Sequence, residues 1–234
     1  MNQIQTIGHR GAAALEPENT LCSFRKAMEI GVDYVEFDIH RCKSGELVVI
    51  HDETVDRTTN GKGFVKDLTL QELKKLDAGK GEKIPTLQEA IDACKDKAKL
   101  QIELKTYGLE DDTVTAIERN NMAADVMVIS FYHEFIKKIR ETAAARKLEI
   151  KTGALIVGNP VNAAEVAKAA KADYLSANQS FADRRMVDEL KNAGIGVVVW
   201  NCDTEKDIQR LAKLGVDMIG SNKPDLLMKV LGRK

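Results

Sequence analysis

The sequence predicts an α/β fold, a TIM (β/α)8 barrel with a small insertion after the second barrel strand region. Short apolar runs alternate with longer stretches whose apolar residues recur every three or four positions, the rhythm of parallel strands joined by helices. About eight such strands fit into 234 residues, a usual size for this barrel. The phosphate-loop signatures of the rival doubly wound open sheet, GxGxxG after a strand or GxxxxGK[ST], are missing. One barrel domain over residues 1–234 is therefore expected, with the insertion at about residues 53–84.

The first strand is expected at residues 4–8, ending at His9. Pro17-Glu18-Asn19-Thr20 opens a helix through Leu21, Phe24, Ala27 and Met28, and Gly31 is placed to cap it. Residues 34–39 read as the second strand. Its side chains alternate, with Val35, Phe37 and Ile39 on one face and Glu36, Asp38 and His40 on the other, His40 towards the rim. Residues 47–50 read as a strand ending at His51-Asp52. Residues 53–84 are rich in Thr, Gly, Lys and Asp, with one helix near 69–76, and form the insertion. Pro85 then starts a helix to Cys94, with Thr86 in its first turn, and a strand at 100–104 carries Glu103. No element is assigned to residues 105–125. Strands at 126–130, 150–156, 174–176, 196–200 and 217–219 follow, alternating with helices at 134–146, 161–171, 184–193, 205–214 and from Pro224. Twice a helix ends on a glycine, Gly194 or Gly215, and a buried strand follows.

Bulk properties narrow the function. Thirty-five basic and 36 acidic residues leave a net charge of −1, so neither nucleic acid nor an anionic membrane surface is indicated as a partner. The four cysteines, Cys22, Cys42, Cys94 and Cys202, form no CxxC pair and read as reduced thiols of a cytoplasmic protein. The stretch MNQIQTIGHRG lacks the pattern of a secretory signal. No apolar run reaches the ~18 residues of a membrane span, so no stable membrane insertion is expected. A homodimer is left open.

Catalytic residues of such a barrel sit at the C-terminal ends of its strands. Glu36 and Asp38, two apart on one strand, point the same way about 7 Å apart at the backbone. If Val35, Phe37 and Ile39 pack outward, both carboxylates face the lumen, where they repel unless a proton or cation intervenes. Glu103 supplies a third acid from another strand. An all-oxygen set suits a hard divalent cation, Mg²⁺ or Ca²⁺, better than zinc; the plainer possibility is a solvated pair on an edge strand. His9 and His51 both fall at predicted strand ends beside charged residues, where two imidazoles could divide proton removal and proton delivery. A lone histidine there would more often be a satisfied loop residue. Arg10 and Lys105 could hold phosphate oxygens or simply pair with the acids. Trp200 could wall a pocket or sit in the core. His133 is expected to begin a helix in a structural role.

The ordered text IGHRGAAALEPENTLCSFRKAMEIGVDYVEFDIHRCKSGELVVIHDETVDRTTNG, with KDLTLQELKKLDAG, IPTLQEAI, IELK, VVVWNCDT and GSNKPDLL after it, resembles the glycerophosphodiester phosphodiesterase family over essentially the whole chain. The resemblance implies a TIM barrel whose catalytic histidines are His9 and His51, whose metal carboxylates are Glu36, Asp38 and Glu103, and whose phosphate-binding residues are Arg10 and Lys105. It also implies that the insertion covers the barrel mouth and that the substrate is a small glycerophosphodiester. His9 is taken as base and His51 as acid. The family usually has Thr-Asp where this chain has Ser221-Asn222. Its Trp is usually followed by Thr-Val-Asn or Thr-Val-Asp, where Asn201-Cys202-Asp203 stand here. These departures are expected at the rim, where they bear on which alcohol leaves. Two other readings are a lysophospholipase D-like activity, ranked lower because no apolar anchor segment is evident, and a non-catalytic phosphodiester-binding barrel, disfavoured because the acid and histidine set is complete.

Overall fold

Runs such as Gly196–Trp200, apolar on both faces, are stable only where helices cover one side and a filled lumen the other. In the computed structural model, which describes residues 3–233, that is how they are used. Met1 and Asn2, the start of the stretch read as lacking a secretory signal, and Lys234 lie outside the described residues. The strands are β1 (Gln5–Gly8), β2 (Tyr34–Arg41), β3 (Leu47–Val49), β4 (Lys99–Leu104), β5 (Val126–Ser130), β6 (Lys151–Ile156), β7 (Tyr174–Asn178), β8 (Gly196–Trp200) and β9 (Met218–Ser221). All but β3 run parallel, and β1 pairs with both β2 and β9, which closes an eight-stranded TIM barrel. The exception is β3, which runs antiparallel to β2, with Ile39 opposite Val49 and Arg41 opposite Leu47.

The outer helices are α1 (Leu21–Ile30), α2 (Leu70–Leu73), α3 (Leu87–Cys94), α4 (Glu110–Arg119), α5 (His133–Ala145), α6 (Ala163–Ala169), α7 (Arg184–Asn192), α8 (Glu205–Leu214) and α9 (Pro224–Val230). Local chemistry sets several of their ends. The Thr20 hydroxyl accepts from the Ser23 N–H to start α1, and Gly31, at φ 91°, stops it. Thr86 caps α3 from outside in a reciprocal pair with Glu89, so Pro85 precedes the helix rather than starting it. α4 falls where the sequence reading assigns no element, although its acidic first turn and the spacing of Val114 and Ile117 are helix signals. Its N-cap is Leu109, with no side-chain cap, and its first turn is Glu110-Asp111-Asp112. Only Thr113, Val114 and Ile117, with Glu110, face inward.

Val35, Phe37 and Ile39 of β2 do pack outward, in one cluster with Phe24, Leu87, Ile91, Leu100 and Ile102. A separate cluster fills the lumen, including Ile7, Tyr34, Met127, Ile129, Leu155, Val198 and Met218. The excursion between β2 and β4 carries a small core of its own, in which Val55, Val65, Leu73 and Ile84 pack on Cys42, Val48 and Ile50. The β2–β3 hairpin is thus its base. Among the described residues no helix is long and apolar enough to cross a membrane.

Candidate active site

The parallel register of β2 and β4 decides where the acids meet. Glu36 lies opposite Gln101 and Asp38 opposite Glu103. The three carboxylates are 2%, 0% and 7% exposed, and each offers an oxygen within 4.8 Å of the others. Glu36 Oε1 and Asp38 Oδ1 are buried without any hydrogen-bond partner. Burial first, then the neighbouring acids, push Glu36 well above the usual carboxylate range and Glu103 up to about 7. Burial also works against Asp38, yet Lys105 and Arg10 pull it down to about 2. Lys105 Nζ lies 2.8 Å from Glu103 Oε1 and 3.5 Å from Asp38 Oδ1. Buried oxygens without partners, in a set of three hard ligands, fit a divalent cation of the Mg²⁺ or Ca²⁺ type.

His9 and Arg10 are aimed by a tight loop after β1. A Cβ on Gly11, at φ 84°, would stand 2.4 Å from Ser23 Oγ, so only glycine lets the loop sit this close to α1. Arg10 is held at φ 51°, and its N–H donates to Glu36 Oε2 at 2.7 Å. Its guanidinium donates to Glu18 at 2.7 Å and lies 3.5 Å from Asp38. Asn19, at φ 57°, donates Nδ2 to Asp38 Oδ2 at 2.8 Å. The segment read from sequence only as a helix start thus also supplies a support for the central acid.

His51 arrives by another route. It does not end a barrel strand; antiparallel β3 carries the chain back so that Ile50 N–H bonds Asp38 O at 3.0 Å, and His51 follows. His51 Nδ1 lies 2.6 Å from Asp52 Oδ1. Arg57 in turn donates to both Asp52 and Glu18, bridging the excursion to the β1 loop. Those bonds from Arg57 are the main cause that keeps Asp52 far below the usual carboxylate range. His40 is not at the rim: it is buried, with Nε2 3.0 Å from His51 O. His133 begins α5, its Nε2 2.8 Å from Leu155 O.

The departures at residues 201–203 and 221–222 follow the ends of β8 and β9, and they are half-buried or buried rather than exposed. Ser221 is fully buried. Asn222 Oδ1 is 2.7 Å from His9 Nδ1, and Asn222 Nδ2 donates to Asp203 Oδ2 at 2.6 Å. Asn222 meets the imidazole because β9 pairs with β1 in the closed barrel, and Asp203 meets Asn222 because β8 lies on the other side of β9. Burial, with Arg10 next, lowers the His9 imidazole to about 4, so it is neutral at neutral pH.

These groups open onto a cavity with about 500 Å³ of empty volume. His9, Arg10, Glu36, His51, Glu103 and Lys105 line one side; Ile129, Phe131, Leu155, Val198 and Trp200 line the other. Asp38 lies beneath the lining, fully buried. Trp200 donates Nε1 to Ser176 O at 3.2 Å and meets Phe131 edge-on, with ring centres 5.6 Å apart. Asn201 also lines the cavity, its Oδ1 buried without a partner.

The sequence profile of the glycerophosphoryl diester phosphodiesterase family matches residues 9–226. The chain is similar to a glycerophosphodiester phosphodiesterase of Caldanaerobacter subterraneus subsp. tengcongensis, 38% identical with 96% of each chain covered. It is also similar to a Bacillus subtilis enzyme of that name, 32% identical over 98% of this chain and 87% of the other. Among solved structures, an Oleispira antarctica phosphodiesterase in complex with the product sn-glycerol-3-phosphate superposes with a TM-score of 0.87, at 31% identity, covering 97% of this chain and 96% of that one. A structure from Galdieria sulphuraria described as a putative glycerophosphodiester phosphodiesterase gives 0.88 at 32% identity, with 98% of each chain covered.

Proposed function

The chain belongs to the glycerophosphoryl diester phosphodiesterase family, and from that premise we propose that it hydrolyses glycerophosphodiesters to glycerol 3-phosphate and an alcohol, with His9 and His51 exchanging the protons beside a cation held by Glu36, Asp38 and Glu103. The observation that carries this reading is the triad of buried carboxylates with two orphaned oxygens, set between two imidazoles in one cavity. When bound, the cation supplies Lewis-acid polarisation and neutralises charge on the phosphate.

The chain's own residues do the rest. Neutral His9 takes the proton from the attacking hydroxyl; if that is water, glycerol 3-phosphate forms directly, and if it is the substrate's own glycerol hydroxyl, a cyclic glycerophosphate forms, which water opens in a second step with the proton roles of the two imidazoles reversed. His51, its Nδ1 held against the Asp52 carboxylate, gives a proton to the oxygen of the departing alcohol as the P–O bond breaks. Arg10 and Lys105 face the phosphate, and Trp200 walls the side where an alcohol group would lie. The four unpaired thiols support a cytoplasmic setting. His51→Ala should lower turnover of glycerophosphocholine by about 10²–10⁴-fold with metal present. Near-normal turnover would remove His51 from the mechanism, and a wild-type protein with no cation-dependent turnover would make this barrel a binder.

One observation favours a second reading, in which the leaving alcohol carries an apolar chain. Leu15, Phe64, Tyr107, Tyr132, Val157 and Phe181 are exposed, and all lie on the mouth face, in the excursion or in loops that follow barrel strands. Assaying a lysophospholipid beside glycerophosphocholine separates the two.

A further inference from the structure

We infer that Asn222 and Asp203 act as a positioning pair that holds the His9 ring with its proton on Nδ1 and its lone pair on Nε2. The inference rests on the proposed role of His9 as base and names what prepares it for that role. It follows from donors and acceptors alone. An ionised carboxylate only accepts hydrogen bonds. Asp203 receives three: Asn222 N–H at 2.8 Å and Ser221 Oγ–H at 2.9 Å on Oδ1, and Asn222 Nδ2 at 2.6 Å on Oδ2. That last bond fixes which way the amide faces. With Nδ2 turned to Asp203, the end left for His9 Nδ1, 2.7 Å away, is Oδ1. An amide oxygen carries no proton, so the ring nitrogen has to donate. The unprotonated Nε2 then lies 3.9 Å from Glu36 Oε2, on the side of the ring towards the carboxylate cluster.

Backbone bonds hold His9, Asn222 and the residue before Asp203. His9 N–H donates to Ser221 O at 3.0 Å, Ala14 N–H to Asn222 O at 2.9 Å and Cys202 N–H to Gly220 O at 2.9 Å. Neither Asn222 nor Asp203 lines the cavity, so neither is placed to touch the reacting atoms. Their effect reaches the reaction through the imidazole, whose second nitrogen is set by the bond that the first one makes.

The test is a swap. The ring tautomer of His9 is read from ¹⁵N shifts in histidine-labelled, metal-free protein at a pH where the ring is neutral; His9→Gln identifies its signals among the four histidines. Kinetic constants are measured on glycerophosphocholine with cation. Wild type is expected to show Nδ1–H alone. Asp203→Asn removes the acceptor that orients the amide, so Asn222 can present either end and both tautomers appear. Turnover should fall about tenfold or more while KM stays within about twofold, since a wrong tautomer removes the base without removing the pocket. Asn222→Asp alone sets two carboxylates against each other and should also impair turnover.

The double variant Asp203→Asn, Asn222→Asp restores one carboxylate and one amide in reversed order, with the acid where the family usually has it. It should return the ring to Nδ1–H and bring turnover back to within a few-fold of wild type. A ring that stays purely Nδ1–H in Asp203→Asn overturns the inference, as does a double variant no better than the single ones. Should Asp203→Asn fail to fold, the double variant carries the test: it should fold and show Nδ1–H, and unfolding or an Nε2–H ring overturns the inference. A tautomer that shifts as expected with no loss of turnover leaves the positioning pair standing and removes His9 as the base.

Discussion

On the side of the lumen built from β1, β2 and β4, the inward groups near the mouth are His9, Glu36, Asp38, Glu103 and Lys105; across from them, β5, β6 and β8 present Ile129, Leu155, Val198 and Trp200. Both sides have the same backbone geometry and similar burial. The difference is what each inward group finds beside it. Arg10, Asn19 and Lys105 converge on Asp38, while the opposite arc is largely filled by apolar contacts. Charge is tolerated in this barrel where counter-charge is already aimed, and even there two oxygens are left over. The surplus of acid is a cost to the folded chain that a cation would remove.

The contrast can be broken in order of effect. Asp38→Ala takes away the acid on which Arg10 and Lys105 converge, and cation-dependent turnover should fall by about 10³-fold or more. A small residual fall in a steady-state assay would mean that Glu36 and Glu103 suffice. Placing a charge on the other arc, Val198→Asp, should cost about 3–5 kcal/mol of folding stability in denaturant titrations, because no counter-charge faces it. A loss no larger than that of an exposed substitution would show that the lumen is hydrated on both sides.

Glu103→Gln sharpens the comparison in the opposite direction. A carboxyl raised to about 7 binds its proton more tightly folded than unfolded, so its contribution is full below the ordinary value near 4.5 and is lost as pH rises through 7. At pH 8 without metal the wild-type protein bears that cost, and Gln should raise its stability by on the order of 1–2 kcal/mol while abolishing tight cation binding. The same proton competes with the cation, so calorimetry of wild type should show affinity rising from pH 5.5 to 8 with proton release; a flat profile would count against Glu103 as a ligand. The smallest effect is expected on the apolar side. Trp200→Ala should raise KM several-fold, about 1 kcal/mol, with little change in kcat.

How much of this was legible in the sequence follows from the range of the interactions. Alternation in residues 34–39 was enough to send Glu36 and Asp38 inward, because strand parity is local. Helix caps at Thr20 and Gly31 were legible for the same reason. Glu103 could be placed on a strand, but that it lies opposite Asp38 is a fact of register. The route of His51 was misjudged although a local mark exists: only residues 42–46, with Ser44-Gly45 among them, separate β2 from β3, a hairpin connection too short for a parallel crossover. α4 was missed because no side chain caps it at Leu109; its acidic first turn and the spacing of Val114 and Ile117 were the signals to use. Asn222 and Asp203 had no local signal at all. Their partners lie 213 and 19 positions away: β8–β9 pairing brings Asp203 to Asn222, and only barrel closure brings Asn222 to His9.

That closure also orders events in time. β1 pairs with β9, Arg233 binds Asp33 beside the first strand, and the amide that orients His9 belongs to Asn222. During synthesis the imidazole leaves the ribosome 213 residues before the neighbour that orients it. A chain that lacks β9 and α9 has no β1–β9 seam and no amide to orient His9. Proteolytic loss of the last strand and helix should therefore be visible in turnover, which makes the seam a built-in check that the barrel is closed before phosphate chemistry begins.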